Sequence, residues 1–255
     1  MQSRSLGGLI PILIGVGVLL SVPGTHAGEE LQPQSQLRPH EPIYISGNEG
    51  FTLPGSGVVG GSGTEEDPYI IEGWEIDAGG SPYGIYIEKT DAHFVIRGVK
   101  IHGAQVQAIR LDSVKNGTIE GCELIENRVG IWLVDSSASR LVKNRLEENF
   151  AGIYLFSSKG NELVGNTVIA SATTGILVRS STDNLIYHNN LSDNWLNAFD
   201  EGANRWDDGR EGNYWSDYTG EDADGDGIGD TPYEIPGGEN RDRYPLMEPY
   251  VEEEE

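Results

Sequence analysis

Gly130-Ile131-Trp132-Leu133 is answered 22 residues later by Gly152-Ile153-Tyr154-Leu155. Upstream the same phrase reads Gly84-Ile85-Tyr86-Ile87 and Ala108-Ile109-Arg110-Leu111, and downstream Gly175-Ile176-Leu177-Val178. The steps between the five copies are 24, 22, 22 and 23 residues. A second phrase keeps the same period out of phase with the first. It pairs apolar residues five apart: Ile71/Ile76, Ile96/Ile101, Ile119/Leu124, Leu141/Leu146, Leu163/Val168 and Ile186/Leu191. Two phrases holding one period define a repeat architecture.

A period of this length fits a leucine-rich repeat or a parallel β-helix. The leucine-rich consensus needs a longer run of leucines and a helical return arm. Here each repeat breaks into three short pieces rich in Ile, Val, Leu and Thr, separated by Gly, Asn and Ser. No window carries the 3.6-residue period of an amphipathic helix. The chain therefore reads as all-β: a parallel β-helix of about six coils over 69–199, each about 4.8 Å above the last. Two further columns support the stacking. One is Trp74, Val99, Cys122, Asn144, Asn166, Asn189, and the other Gly79, Ala104, Asn127, Asn149, Ser171, Asn194. Stacked asparagines at a corner are expected to take left-handed geometry and to hydrogen-bond to the coils above and below.

The flanks differ from the repeat. Residues 1–27 hold Arg4, an apolar run from Leu6 to Val22, and Thr25-His26-Ala27, the pattern of a secretory signal cleaved after Ala27. An uncleaved anchor is the alternative, although the run is short for a membrane span. Residues 28–41 read as a flexible leader. Residues 42–68 read as an N-terminal cap, since a solenoid exposes its open core at each end. Residues 200–250 hold Trp206, Tyr214-Trp215 and Tyr244 without a coil period, and read as a C-terminal plug. The acidic tail 251–255 is expected to be solvated.

The chain has 255 residues, 41 acidic against 17 Lys and Arg, for a net charge of −24. No basic patch is visible, so nucleic acid and anionic membrane surfaces are poor partners. Cys122 is the only cysteine, which excludes an intrachain disulfide and places a thiol in a core column. Asn116-Gly117-Thr118 and Asn190-Leu191-Ser192 fit the N-glycosylation pattern, meaningful only in a host that glycosylates exported proteins.

In the Gly-Ile-x-Leu phrase the aliphatic residues face inward and the middle residue faces out. The outward column is then Tyr86, Arg110, Trp132, Tyr154, Leu177, with Glu88, Asp112, Val134, Phe156, Arg179 beside it. Aromatic rings in line on a rigid sheet suit sugar stacking, and Glu88, Asp112 and Arg110 are placed to fix hydroxyls. The bland alternative is that aromatic residues stack on strands for stability alone. Arg110, Asp112 and Arg179 are the weak catalytic candidates, and Glu88 and Asp112, in one column on neighbouring coils, are paired acids of the kind that support glycoside chemistry. Solvated charges explain them equally. The expected partner is a polysaccharide or cell-surface glycan, bound without catalysis. A lyase, epimerase or hydrolase on the same face and a purely structural surface protein are the alternatives.

A metal site is expected elsewhere. Asp222, Asp224, Asp226 and Asp230 stand at positions one, three, five and nine of a calcium-type loop, with Gly227 at six and the Ile228 carbonyl at seven. Position twelve, normally a bidentate Glu, is Tyr233, and Asp217 or Asp242 is the possible substitute. The expected role of Ca2+ is structural. The histidines lack ligand spacing, and no soft-metal set of Cys, Met and His is apparent.

Two end segments resemble a known family. Gly61-Ser62-Gly63-Thr64-Glu65-Glu66-Asp67-Pro68-Tyr69-Ile70-Ile71-Glu72-Gly73-Trp74 is similar to the entry segment of NosD-like, CASH-type β-helix proteins. Gly212-Asn213-Tyr214-Trp215-Ser216-Asp217-Tyr218, Asp230-Thr231-Pro232-Tyr233 and Asp242-Arg243-Tyr244-Pro245-Leu246 resemble that family's C-terminal cap. The resemblance implies a right-handed parallel β-helix of the pectin-lyase type, exported to a periplasm-like space or the cell surface. It also implies a copper label and an accessory role in copper-centre maturation. No residue here carries the copper label over.

Overall fold

The computed structural model describes residues 37–252; the expected signal, most of the leader and the last three glutamates lie outside the described residues. Residues 37–252 form a right-handed parallel β-solenoid of about six coils. Among the described residues no helix is long and apolar enough to cross a membrane. Each coil visits three sheets in turn, here sheets III, I and II. One coil, for example, runs through Gly117–Glu120, Glu123–Ile125 and Val129–Val134. Sheets I and III have eight strands and sheet II has seven.

The repeat phrases map onto these sheets in register. Ile96, Ile119 and Leu141 pair in sheet III, and Ile101, Leu124 and Leu146 in sheet I. Ile109, Ile131 and Ile153 pair in sheet II. All nine are fully buried, each worth roughly 1.5–3 kcal/mol of transfer free energy. The phrase opens with glycine because a Cβ at Gly130 would stand 2.4 Å from Leu146 Cδ2, and one at Gly152 would stand 2.4 Å from Val168 Cγ1.

The asparagine columns form inward ladders. The backbone N–H of Cys122, Asn144, Asn166 and Asn189 donates to the side-chain oxygen of the next coil's asparagine, the last being Asn213, at 3.0–3.1 Å. Each Nδ2 donates back to a carbonyl one coil earlier, such as Asn166 Nδ2 to Leu141 O at 2.8 Å. Cys122 imitates this with its thiol, which donates to Ile96 O and Glu120 O. Two ladders that the sequence did not disclose run at the sheet II–III corner: Ser136, Ser158, Ser181 and Asn161, Asn184, Asn204.

The expected left-handed asparagines are a correction. The left-handed residue is the one before each ladder position: Gly73, Gly98, Gly121, Lys143, Gly165 and His188 at one corner, Glu126, Glu148, Ala170 and Asp193 at another. That residue turns the chain, which leaves the asparagine extended with its amide aimed into the core.

The caps differ from expectation at their edges. The leader assigned to 28–41 gives way to structure at Arg38–Pro39, which pairs in parallel with Trp74 and Glu75. The Arg38 guanidinium lies 4.2 Å over the Trp74 ring, so this short strand is held by stacking as well as by backbone. The helical turn Asn48–Thr52 drops Phe51 onto the end of the core, and Trp74 Nε1 donates to Gly57 O at 2.8 Å. At the other end Trp206 and Trp215 are buried, as a plug requires. Tyr250, the last cap residue, stacks on His188; the tail expected to be solvated is exposed at Val251, and Glu252 pairs with Lys143.

Candidate functional site

Sheet II presents the predicted outward column intact and longer than expected. Register places Tyr44, Tyr86, Arg110, Trp132, Tyr154, Leu177 and Phe199 on consecutive strands. Tyr44 heads the line at half exposure and the rest are half-buried. Its signal in the sequence was Ile43-Tyr44-Ile45, the same apolar-x-apolar phrase without the opening glycine.

The rings are ordered by one another. Trp132 and Tyr154 stack at 5.1 Å with 16° between planes, and Phe156 meets Tyr154 edge-on at 6.3 Å. The Arg110 guanidinium sits between the faces of Tyr86, at 5.0 Å, and Trp132, at 5.3 Å. Such cation–π contacts hold a planar cation flat along the column. Within this face two buried donors have no protein partner, Arg110 Nε and Trp132 Nε1.

The charged residues of the second column are occupied. Glu88 accepts from Tyr44 at 2.7 Å, Tyr86 at 2.8 Å, Lys89 at 3.0 Å and Ser46 at 3.1 Å. The tyrosine hydroxyls, followed by Lys89, pull its carboxyl down to about 2, while burial and the bond to Glu88 push Tyr86 up to about 12. Asp112 accepts from Arg110 at 2.6 Å and from Ser113 at 3.1 Å. Arg179 lies farther down the sheet, facing Glu201 at 3.8 Å with its guanidinium 5.7 Å from Phe199. Glu88 is thus an ionised group held by its neighbours, and Asp112 is paired with Arg110. A general acid would need a carboxyl raised toward neutrality.

A neighbouring ridge was missed. The residue after each Asn127-column position faces solvent at the sheet I–II corner: Arg128, Phe150, Ala172, Trp195. Trp195 is 80% exposed and Phe150 50%, with Arg128 5.3 Å over the Phe150 ring. The repeat period alone would have aligned these four.

The acidic loop brings together part of its predicted set. Carboxylate oxygens of Asp222, Asp224 and Asp226 lie within 4.8 Å of one another. Asp222 already accepts backbone N–H groups from Gly225 at 2.7 Å and Gly227 at 2.9 Å. Asp226 accepts from Ile228 N and Asp230 from Ala223 N, both at 2.9 Å. Asp230 is outside the cluster, and Ile228 is bridged to Leu246. Tyr233 at the twelfth position turns into the cap, stacked 4.0 Å from Trp215, with its hydroxyl on Asp217. Asp242 is buried beneath it, bonded to Trp215 Nε1 at 2.8 Å. Neither Asp217 nor Asp242 substitutes for the missing ligand.

These features define a parallel β-helix with a half-buried aromatic column along one sheet face. The chain belongs to the family described as periplasmic copper-binding protein (NosD), whose model matches residues 34–220. Among solved structures it is similar to the periplasmic alginate epimerase AlgG. A double mutant of AlgG aligns at 25% identity and a TM-score of 0.44, covering 52% of this chain and 38% of that one. The unmutated AlgG aligns at 22% identity and a TM-score of 0.37 with the same coverage. No curated protein matches the chain.

Copper is the metal in the family's description, and the described residues do not fit it. Cys122 is buried, its thiol pushed up to about 12 by desolvation and donating to two carbonyls. His40 packs on Trp74, His102 faces Asp77, and His188 is bonded to Glu211. The one group of three or more potential ligands among the described residues is all carboxylate. Hard oxygen donors suit calcium or magnesium better than copper(I).

Proposed function

We propose that this protein is exported to the periplasmic space named in its family's description, and that it binds a polysaccharide chain on the outward face of sheet II without transforming it. The observation that carries this is the aligned column of Tyr44, Tyr86, Arg110, Trp132 and Tyr154. Its rings are pre-ordered by stacking. Rigid aromatic surfaces lose little entropy on contact with a ligand. Glu88 and Asp112 position Tyr44, Tyr86 and Arg110 and take no acid–base part, because their oxygens are already bonded to those side chains.

A polysaccharide array on the exported form, with product analysis by mass spectrometry, tests this. Trp132→Ala is expected to weaken binding about 30-fold, the effect of losing a central aromatic worth about 2 kcal/mol. No glycan bound, or binding that Trp132→Ala leaves intact, would sink the proposal. Shortened, unsaturated or epimerised product would replace it with the catalytic alternative.

A further inference from the structure

Charge is spread unevenly along the outward face of sheet II. Its centre holds no carboxylate, ammonium or guanidinium: Trp132 and Val134, then Tyr154 and Phe156, then Leu177 follow one another on three consecutive strands. Ion pairs bracket this stretch. Towards the N-terminus Arg110 is bonded to Asp112 at 2.6 Å and Lys89 to Glu88 at 3.0 Å. Towards the C-terminus Arg179 faces Glu201 at 3.8 Å. Asp135, exposed just past Val134, adds one more carboxylate. Arg128 stands outside the face, at the corner over the Phe150 ring.

A carboxylate carried by a sugar ring over Trp132 or Tyr154 would therefore meet no cation. At Arg110 it would have to compete with Asp112 for a guanidinium already held between the Tyr86 and Trp132 rings. Displacing Asp112 would leave a half-buried carboxylate without its counter-charge, the costly outcome for a partly desolvated pair. The long-range field adds to this. The chain carries a net charge of −24, and a polyanion is repelled by it within a Debye length, about 10 Å at 0.1 M salt. A ring bearing only hydroxyls meets neither penalty and keeps the stacking contact.

We propose that the sheet II face selects uncharged polysaccharides and rejects their uronate-bearing counterparts. This selectivity presupposes glycan binding at the same face and names the class of glycan. It is set by charge rather than by ring shape: the aromatic column stacks on either kind of ring, and the paired cations leave nothing to neutralise a uronate.

The test titrates the full chain with matched pairs of polysaccharides: glucan with polyglucuronate, galactan with polygalacturonate, and mannan with polymannuronate. At about 20 mM salt the neutral member of a bound pair is expected to bind at least about tenfold tighter. Raising salt to about 0.5 M should move the neutral affinity by less than about twofold and should narrow the gap by strengthening the uronate. Val134→Lys, which sets a lone ammonium in the uncharged stretch, should raise uronate affinity about tenfold. Uronate binding as tight as neutral binding, and abolished by Trp132→Ala, overturns the selectivity and leaves the glycan reading standing. No binding by any member, or binding indifferent to Trp132→Ala, overturns both. Unchanged uronate affinity in Val134→Lys, with neutral binding retained, overturns charge as the cause.

Discussion

At the N-terminal end the core is closed by carbon. Phe51 stacks on Tyr69 at 4.7 Å and lies 5.3 Å from Phe94, and Glu88 keeps its hydrogen bonds out on the sheet face. At the C-terminal end the core is closed by Trp206 and Trp215, and each indole N–H donates to a buried carboxylate, Asp200 and Asp242 respectively. Asp207 adds a third, bonded twice by the Arg243 guanidinium. An apolar lid needs only burial to be stable. A polar lid must satisfy every group it buries, so its stability hangs on single atoms and on protonation.

The largest expected effect breaks the polar lid. Asp242 accepts from Asn213 N, Trp215 Nε1 and Tyr244 N, and Asp242→Ala would strand all three donors. A loss of about 4 kcal/mol is expected in urea unfolding followed by tryptophan fluorescence. A loss under about 1 kcal/mol, as at an ordinary surface site, would remove the distinction between the two ends.

The second prediction separates the ends by pH. Burial pushes the Asp242 carboxyl up to about 6 in the folded protein, above its ordinary 3.8. The folded state therefore holds this proton more tightly, and the stability tied to it is present below pH 4 and falls as pH rises through 6. A rise of about two in pKa corresponds to roughly 3 kcal/mol. Glu88 runs the other way, held near 2 against an ordinary 4.5. Its contribution is present above pH 4.5 and is lost as pH falls toward 2. Melting curves across pH 2–7 should show Asp242→Asn flattening the upper limb and Glu88→Gln the acid limb. The opposite assignment would contradict both environments.

A smaller effect concerns the polar interior of the later coils. Ser171 interrupts an asparagine column, and its buried hydroxyl has no partner. Ser171→Asn would resume the pattern in which Asn127 N donates to Asn149 Oδ1 at 2.9 Å. Thermal melting should show a gain of about 1 kcal/mol. Destabilisation would mean that the corner lacks room for the amide.

The smallest effect concerns calcium at the polar cap. With three carboxylates and no twelfth ligand, affinity near the weak end, about 1 mM, is expected. Calcium at 1 mM would then add about 0.4 kcal/mol. Melting with calcium against chelator, repeated with Asp224→Asn, checks this, and an identical melt in both would leave the loop as a self-capped turn.

Much of the fold was legible because it is written as a period. Ile131, Ile153 and Ile176 announce their register by spacing alone, and the outward Trp132 and Tyr154 follow from alternation. The polar ladders were half legible: the asparagine columns showed, but the left-handed residue beside them did not. Glycine, lysine and histidine all occupy that position, so no residue type marks it. Phe150 and Trp195 were legible in principle and were missed for want of a hydrophobic pattern at corners. The state of Glu88 was not legible at all, because its partners Tyr44 and Ser46 come from a strand more than 40 residues earlier.

The sequence by itself determined the parallel coils, the inward aliphatic columns and the outward aromatic line, since each depends only on a repeating local pattern. Tertiary structure alone decided which charges are free. It bonded Glu88 to Tyr44 and Ser46 of the preceding strand, turned Tyr233 from the acidic loop into the cap, and buried Asp242 under Trp215. Those outcomes depend on contacts between segments far apart in the chain, where the period carries no information and only packing and desolvation set the chemistry.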